Sequence, residues 1–320
     1  MVTIKDVAAA AGVSVSTASR ALNDKGTISP KVRAQIKKVA KELNYHPNEM
    51  ARSLQTQRTH MIGLVAHQAD SLFYGRLIQS IERRCFENGY KLLLCTTGGS
   101  AIRENTFAQM FDANKLDGAI LAGSVDYDSD FAAKKLPVVT IERHLSDEIP
   151  MVTCDNIGGG RLAARTLWER GCKCAAVFVN VAATIANERY QSFAEECERI
   201  GMRCMIETTE LLEGEYLPCF RELFAKHPDL DGFFCIDDVA MVCREACREL
   251  DVRVPDEVQI LGFDGMDIAK RFHISTIVQP IEEMGALAVD LLMRQIEGEL
   301  AASRSILPVR LVERETTRKL

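Results

Sequence analysis

The sequence predicts a small all-α helix-turn-helix head joined to a larger α/β body of two parallel-sheet lobes. Three observations carry that prediction. The first is charge. Residues 1–60 hold ten Lys/Arg against four acids, a balance of +6, whereas the 320-residue chain is −6, leaving −12 for the remainder. A basic head on an acidic body is the footprint of a separate polyanion-binding module. The second is a change of period. Up to about residue 46 apolar residues recur at helical spacing, and from Met61 apolar runs alternate with amphipathic stretches. The third is length. Nine or more strand-like runs after Met61 are more than one sheet and one core take up.

The head spans residues 1–46. Thr3 caps a first helix with Asp6 in the capping-box position, and Ile4, Val7, Ala8 and Ala11 share one face. Gly12 ends that helix. Ser14 caps a second, SVSTASRALN, whose expected buried stripe is Val15, Ala18 and Leu22. Ser16, Thr17, Ser19, Arg20 and Asn23 are left for its other faces. Two short helices joined by a tight Gly turn form a helix-turn-helix, whose second helix enters the major groove of DNA N-terminus first. Hydroxyls suit phosphates and base edges, and Arg20 suits guanine O6 and N7. A third helix starts at Ser29-Pro30 and turns Val32, Ile36, Val39 and Leu43 to the same core.

Residues 47–60 form a hinge or linker. After Pro47, Asn48 to Gln57 suit a short helix with Met50, Ala51 and Leu54 on one face, too short to be stable alone.

The body spans residues 61–320. Strands are expected at 61–67, 91–97, 117–123, 137–143, 151–156, 174–180, 202–209, 232–238 and 258–265, with helices between them such as 74–88, 157–170, 186–200, 239–250 and 281–297. This alternation gives parallel sheets covered on both faces. Open parallel sheets bind ligands beyond the carboxyl ends of their strands. There the sequence places Glu142 and Arg143, Asp237 and Asp238, and Asp264, with Arg189 at a following helix and Phe73 and Tyr74 after the first strand. Acids and an arginine for hydroxyls, with aromatics for ring faces, describe a sugar-like site.

Other classes are set aside on specific grounds. The start, MVTIKDV, lacks a signal-peptide pattern, and the longest apolar run, residues 174–186, is too short to span a bilayer. These point to a cytoplasmic protein without a membrane partner. The eleven cysteines include no CxxC and no completed zinc pattern, so they read as buried thiols and no metal is expected. Gly158-x-Gly160-x-x-Ala163 resembles a dinucleotide fingerprint, but the next strand ends in VFVN without the ribose-binding acid. The glycines are expected to serve a tight turn and close helix packing instead, and no cofactor is expected. GxSxG, HExxH and GxxxxGK[ST] are absent, which argues against an enzyme.

TIKDVAAAAGVSVSTASRALN followed by NYHPNEMARSL resembles the head and hinge of the LacI/GalR (lactose/galactose repressor) family, and the likeness continues to the C-terminus. The resemblance implies that Val15, Ser16 and Arg20 read bases. It implies that hinge helices fold on DNA and that Leu54 wedges between base steps in the minor groove. The DNA-binding set is then Thr3, Ser14, Val15, Ser16, Thr17, Ser19, Arg20 and Asn23 of the head, with Asn48, Ala51, Arg52 and Leu54 of the hinge. For the body it implies the two-lobed, type I periplasmic-binding-protein-like effector domain. VPDEVQILGFDG carries the ligand-contacting Asp264, ERYQSF carries Arg189, and CIDDVAM places Asp237 where Asn is customary. Glu142 stands where many members have Asp, and Ser71, Leu72, Phe73 and Tyr74 replace Asn-Pro-Phe-Phe. The effector-binding set is Ser71, Phe73, Tyr74, Glu142, Arg189, Asp237 and Asp264.

The expected function is a ligand-controlled repressor of carbohydrate-utilisation genes. It would bind a pseudo-palindromic operator in double-stranded DNA as a homodimer and be released by a sugar or sugar phosphate. No leucine-heptad tail follows LPVRLVER, hence a dimer rather than a tetramer. The alternative keeps the fold but reverses the sign, with a purine-like corepressor or a phosphocarrier protein strengthening DNA binding.

Overall fold

Three helices build the head: α1 (Ile4–Ala10), α2 (Val15–Leu22) and α3 (Pro30–Glu42). A computed structural model describes residues 2–24, 26–46, 58–123, 129–179, 187–208 and 216–320, and divides the chain into units Met1–Thr59 and His60–Leu320. Thr3 donates to the Asp6 carboxylate from both its backbone N–H and its hydroxyl, each at 2.8 Å. Gly12 has φ +66°, the left-handed turn conformation that glycine adopts at least cost. Asp24, with φ 53°, accepts from Arg33 and Lys37 at 2.8 Å each and so ties the end of α2 to α3.

The head core is Val7, Ala8, Ala11, Ala18, Ala21, Ile36 and Ala40. This corrects the expected stripe on α2. The side chains turned fully inward are Ala18 and Ala21; Leu22 is half-buried and Val15 is 42% exposed. Small residues let the helix axes approach, so the tight contact falls on the alanines and Val15 is left for an outer surface. The hinge residues 47–57, including Asn48, Ala51, Arg52 and Leu54, lie outside the described residues.

The body opens with β1 (Met61–Ala66), α4 (Leu72–Glu87), β2 (Lys91–Thr96), α5 (Ala101–Ala113), β3 (Gly118–Ala122), β4 (Val138–Ile141) and β5 (Met151–Cys154). It continues through α6 (Asn156–Glu169), β6 (Cys174–Val179), α7 (Asn187–Ile200), β7 (Arg203–Thr208), α8 (Tyr216–Lys226), β8 (Gly232–Phe234), α9 (Asp237–Glu249), β9 (Gln259–Asp264) and α10 (Asp267–Arg271). It closes with β10 (Ser275–Val278), α11 (Ile281–Ile296), β11 (Arg304–Leu307) and β12 (Arg310–Val312). One sheet has the order β11-β5-β4-β3-β1-β2 and the other β12-β10-β9-β8-β6-β7. Every pairing is parallel except β10 with β12. Each sheet anchors one lobe. The chain passes between lobes after β5, after β10 and between β11 and β12.

The GxGxxA segment opens α6, and each of its glycines has a packing reason. A Cβ on Gly160 would meet the Arg189 carbonyl oxygen at 2.0 Å, and one on Gly159 would meet the Phe263 ring at 2.8 Å. The Asp155 carboxylate fills the N-terminus of α6, accepting from the Gly158 N–H at 2.8 Å. These glycines let α6 approach α7 and β9, as the packing reading expected; they lie within the helix without positive φ, so the expected tight turn is not found there. Nine of the eleven cysteines are buried, in keeping with their use as small apolar side chains. No helix among the described residues is long and apolar enough to cross a membrane.

Candidate functional site

On the head, the N-terminal turn of α2 carries a cluster of hydroxyls. Ser14 Oγ accepts from the Thr17 N–H at 3.1 Å and lies 2.9 Å from Ser16 Oγ and 2.8 Å from Thr17 Oγ1. The cap therefore fixes the end of the helix and holds three hydroxyls together. Val15, Ser16 and Arg20 are exposed. The Arg20 guanidinium has no partner among the described residues, and its stem lies along Gly26. Asn23 reaches back to Ser19 Oγ at 3.5 Å, and both are half-buried. Thr3 is exposed, with its hydroxyl held by Asp6. The helix thus presents an apolar side chain, hydroxyls and an unpaired guanidinium, a set that suits base edges and phosphates.

In the body, Glu142, Arg189 and Asp264 meet at the carboxyl ends of the two sheets. Glu142 follows β4 in the first lobe, with φ 56°, and Asp264 ends β9 in the second, with φ 110°. Positive φ in residues other than glycine costs roughly 1–3 kcal/mol each and persists only where the surroundings enforce it. Both strained residues are acids aimed at the same place.

A hydrogen-bonded chain joins them. Glu142 Oε1 accepts from the Cys154 N–H and Thr153 Oγ1, each at 2.9 Å. Its Oε2 accepts from Asn156 Nδ2 at 2.9 Å. Asn156 Oδ1 accepts from Arg189 Nε at 2.9 Å, and Arg189 Nη1 reaches Asp264 Oδ1 at 3.4 Å. Gln279 Nε2 donates to the same Asp264 oxygen at 2.5 Å. The guanidinium also lies 4.0 Å from the centroid of the Phe263 ring. All five polar residues of this chain are at least nine-tenths buried.

Two acceptors are left over. Among the described residues, Gln279 Oε1 is buried without a partner, and both bonds to Asp264 fall on Oδ1, leaving Oδ2 unbonded. Burial pushes the Asp264 carboxyl up to about 6, with Asp238 and Glu142 adding to the rise and Arg189 and Gln279 opposing it. Tyr74 supplies the aromatic wall. Its hydroxyl is raised above the ordinary range by burial and by the charges of Glu142 and Asp264. Phe73 stands edge-on to it with centroids 5.3 Å apart. Gly123, with φ 131°, has no room for a Cβ, which would lie 2.8 Å from the Tyr74 hydroxyl. Unused acceptors on Asp264 and Gln279, with an aromatic side chain near Glu142 and Asp264, match a ligand rich in hydroxyl donors.

Two expected ligands sit differently. Asp237 opens α9 rather than ending a strand, and it is fully buried with both oxygens occupied. Thr276 Oγ1 and the Met266 N–H each donate to it at 2.6 Å. It braces α9 against the ends of β9 and β10. Burial, with the charge of Asp264, pushes its carboxyl up to about 8. The Ser71 hydroxyl is engaged as the cap of α4, accepting from the Tyr74 N–H at 3.4 Å, so it positions Tyr74. Arg143, adjacent to Glu142, turns to Glu104 on α5 at 2.8 Å. The residues that sequence reading passed over are Asn156 and Gln279. Each stands where the chain passes between lobes, a position visible in topology and not in local pattern.

A helix-turn-helix head and a two-sheet body with a polar cluster linking its lobes define a ligand-responsive DNA-binding regulator. The profile of "Bacterial regulatory proteins, lacI family" matches residues 3–48, and that of a "Periplasmic binding protein-like domain" matches residues 164–317. The chain is 34% identical to the ribose operon repressor of Halalkalibacterium halodurans, over 99% of this chain and 98% of that one. It is 31% identical to the sucrose operon repressor of Streptococcus mutans, over 98% of each. Among solved structures, a periplasmic binding protein/LacI transcriptional regulator from Alkaliphilus metalliredigens in complex with D-xylulofuranose superposes with a TM-score of 0.72. The two are 28% identical, over 81% of this chain and all of that one. The chain belongs to the lacI family of bacterial regulatory proteins.

Proposed function

We propose that this protein is an operon repressor that binds a pseudo-palindromic operator as a homodimer and releases it when a sugar binds between the lobes of the body. The observation that carries the reading is the chain Glu142–Asn156–Arg189–Asp264–Gln279, which runs through both lobes and two of the three places where the backbone passes between them. A ligand accepted there bonds both lobes at once and biases their relative position, the kind of two-state element that couples two sites. The relatives named for ribose and sucrose operons, and the relative solved with D-xylulofuranose, support a sugar as effector.

On DNA, Ser14, Ser16, Thr17, Ser19 and Arg20 of α2, with Val15 for an apolar contact, read the major groove of one half-site. Thr3, at the start of α1, and Asn23, at the end of α2, complete the DNA-binding set of the head. Two-fold symmetry of the operator matches two copies of the chain. In the hinge, Asn48, Ala51 and Arg52 approach the minor groove and Leu54 enters a base step.

The test is a gel-shift assay on operator fragments selected from random DNA, titrated with ribose, sucrose and purines. Release by a sugar is expected, and tightening by a purine would establish corepression instead. In the same assay Leu54→Ala should weaken operator binding and bending while sugar affinity stays the same. Unchanged bending would remove Leu54 from the DNA.

A further inference from the structure

We propose that Arg76 is a positioning residue for the effector site, a tie between the lobes that stands outside the hydrogen-bonded chain from Glu142 to Gln279. The proposal rests on the cleft being that site, and it assigns part of the closing of the lobes to the protein itself, before any sugar enters.

The tie begins on one face of α4. Arg76, Ser80 and Arg84 recur every fourth residue, so they share a face one turn apart, and all three reach α11. Leu77, Ile81 and Cys85, beside them, are buried in the core. Arg76 pairs with Glu282, Ser80 Oγ donates to the Glu282 carbonyl at 2.7 Å, and Arg84 holds Asp290 with Nε at 2.7 Å and Nη2 at 3.1 Å. A Cβ on Gly285 would lie 2.8 Å from Ser80 Oγ, so the two helices are in close contact here. Both pack on strands of the first sheet, which puts this seam inside one lobe.

Arg76 makes one bond more. Its Nη1 donates at 3.2 Å to the carbonyl of Gly265, which follows β9 in the second lobe. Among the described residues, the bonds of Ser80 and Arg84 stay on α4 and α11. Gly265 is a fixed target. Its φ is +76°, and a Cβ there would meet Val278 at 2.7 Å, so the turn both needs glycine and is tightly packed. Its neighbours are held as well: Asp264 by Arg189 and Gln279, and the Met266 N–H by Asp237. Arg76 therefore grips the segment that carries Asp264. It anchors that segment to Glu282, just beyond the passage between lobes that carries Gln279.

As an ion pair Arg76–Glu282 is ordinary. Its side chains are 36% and 44% exposed, and exposed pairs add little to stability. A bond between lobes acts on a different quantity. Where two lobe arrangements lie close in free energy, one charge-assisted hydrogen bond made in only one of them shifts the populations. Apparent affinity for a ligand scales with the fraction of the protein already in the binding arrangement. Arg76 raises that fraction from outside the cluster.

Arg84 supplies the control. It makes the same kind of pair on the same face of α4, with side chains 39% and 40% exposed, and among the described residues it has no bond across the lobes. The experiment is calorimetric titration of the full chain with ribose, fructose and sucrose, on the parent, Arg76→Met, Arg76→Lys and Arg84→Met, with the melting temperature of each. Arg76→Met should weaken binding of whichever sugar the parent takes by about tenfold, whereas Arg84→Met should leave it unchanged at a similar loss of stability. Arg76→Lys keeps a charge opposite Glu282 but lacks the planar fork that also serves Gly265. It should hold the melting temperature and still lose affinity. In the operator assay, Arg76→Met should need about ten times more of that sugar for half release and still reach full release. Equal effects of Arg76→Met and Arg84→Met on sugar affinity, or parent-like affinity in either Arg76 variant, overturn the tie while leaving a sugar-responsive regulator intact. A parent that binds none of the sugars overturns the effector reading, and this inference with it.

Discussion

The head and the effector cleft proposed between the lobes use similar polar chemistry in opposite surroundings. On α2, Ser14, Val15, Ser16 and Arg20 are exposed, and among the described residues the guanidinium of Arg20 is uncommitted. In the cleft, Arg189 is 4% exposed and bonded on two sides. The difference follows from the partner. Duplex DNA is a stiff polyanion read from outside, so its readers stand on a small rigid scaffold and wait. A small ligand is read by enclosure, and at the proposed effector site Glu142 and Asp264 are desolvated and held beforehand, each with positive φ.

That contrast predicts unequal costs for the two arginines. Arg189→Ala leaves buried carboxylates without their cation, and the body should lose about 3–5 kcal/mol of stability along with its response to sugar. Thermal denaturation and calorimetry measure both, and a variant as stable as the parent would show that the Arg189–Asp264 pair is not a buried one in solution. Arg20→Ala leaves nothing buried. It should leave the melting temperature alone and cost about 1–3 kcal/mol of operator binding, with no loss on random DNA. Equal loss on both DNAs would make Arg20 a phosphate contact.

A smaller effect is expected from pH. The groups around Asp264 are Arg189 and Gln279, which favour its charge, and Asp237, Asp238, Glu142 and Tyr74. Its carboxyl titrates near 6, raised first by burial. The ionised form accepts hydroxyls, so sugar affinity should be flat above that value and fall as pH drops through it, by about tenfold at pH 5. The stability of the unliganded body runs the other way. A raised folded value contributes stability that is present below the unfolded carboxylate range and lost as pH rises through about 6. Operator binding by the head should not share the cleft's midpoint. An affinity for sugar that stays flat to pH 5 would mean that no ionised Asp264 is needed.

Much of this was legible in sequence because it is local. The Thr3–Asp6 box, the Gly12 turn, and the Ser14 and Ser29-Pro30 starts are decided within a few residues, and the structure has them where the pattern predicts. Strand-end acids were legible as a class, since polar residues after an apolar run mark the carboxyl edge of a sheet. Their individual roles were not. Asp237 and Asp264 look alike in sequence, yet the first has both oxygens taken by Thr276 and the Met266 N–H, whereas both bonds to the second fall on Oδ1. On α2, Ala18 is buried and Leu22 packs on the core as the pattern predicts, while Val15 lies outside and Ala21 turns inward, because close helix contact selects small side chains over hydrophobicity. Helix α5 carries Ile102 outside and Phe111 inside without a single apolar stripe, and so announces itself weakly.

By itself, then, the sequence determined the order of parts: a basic three-helix head, a hinge, and alternating strands and helices whose carboxyl ends bear acids and one key arginine. These are set by near neighbours and by period. Only the tertiary structure decided which polar groups meet. Glu142 and Asp264 are 122 positions apart in the chain, and Asn156 and Gln279 enter the site solely because the backbone passes between lobes where they stand. Pairings of that kind depend on how two sheets are threaded, which no local pattern encodes.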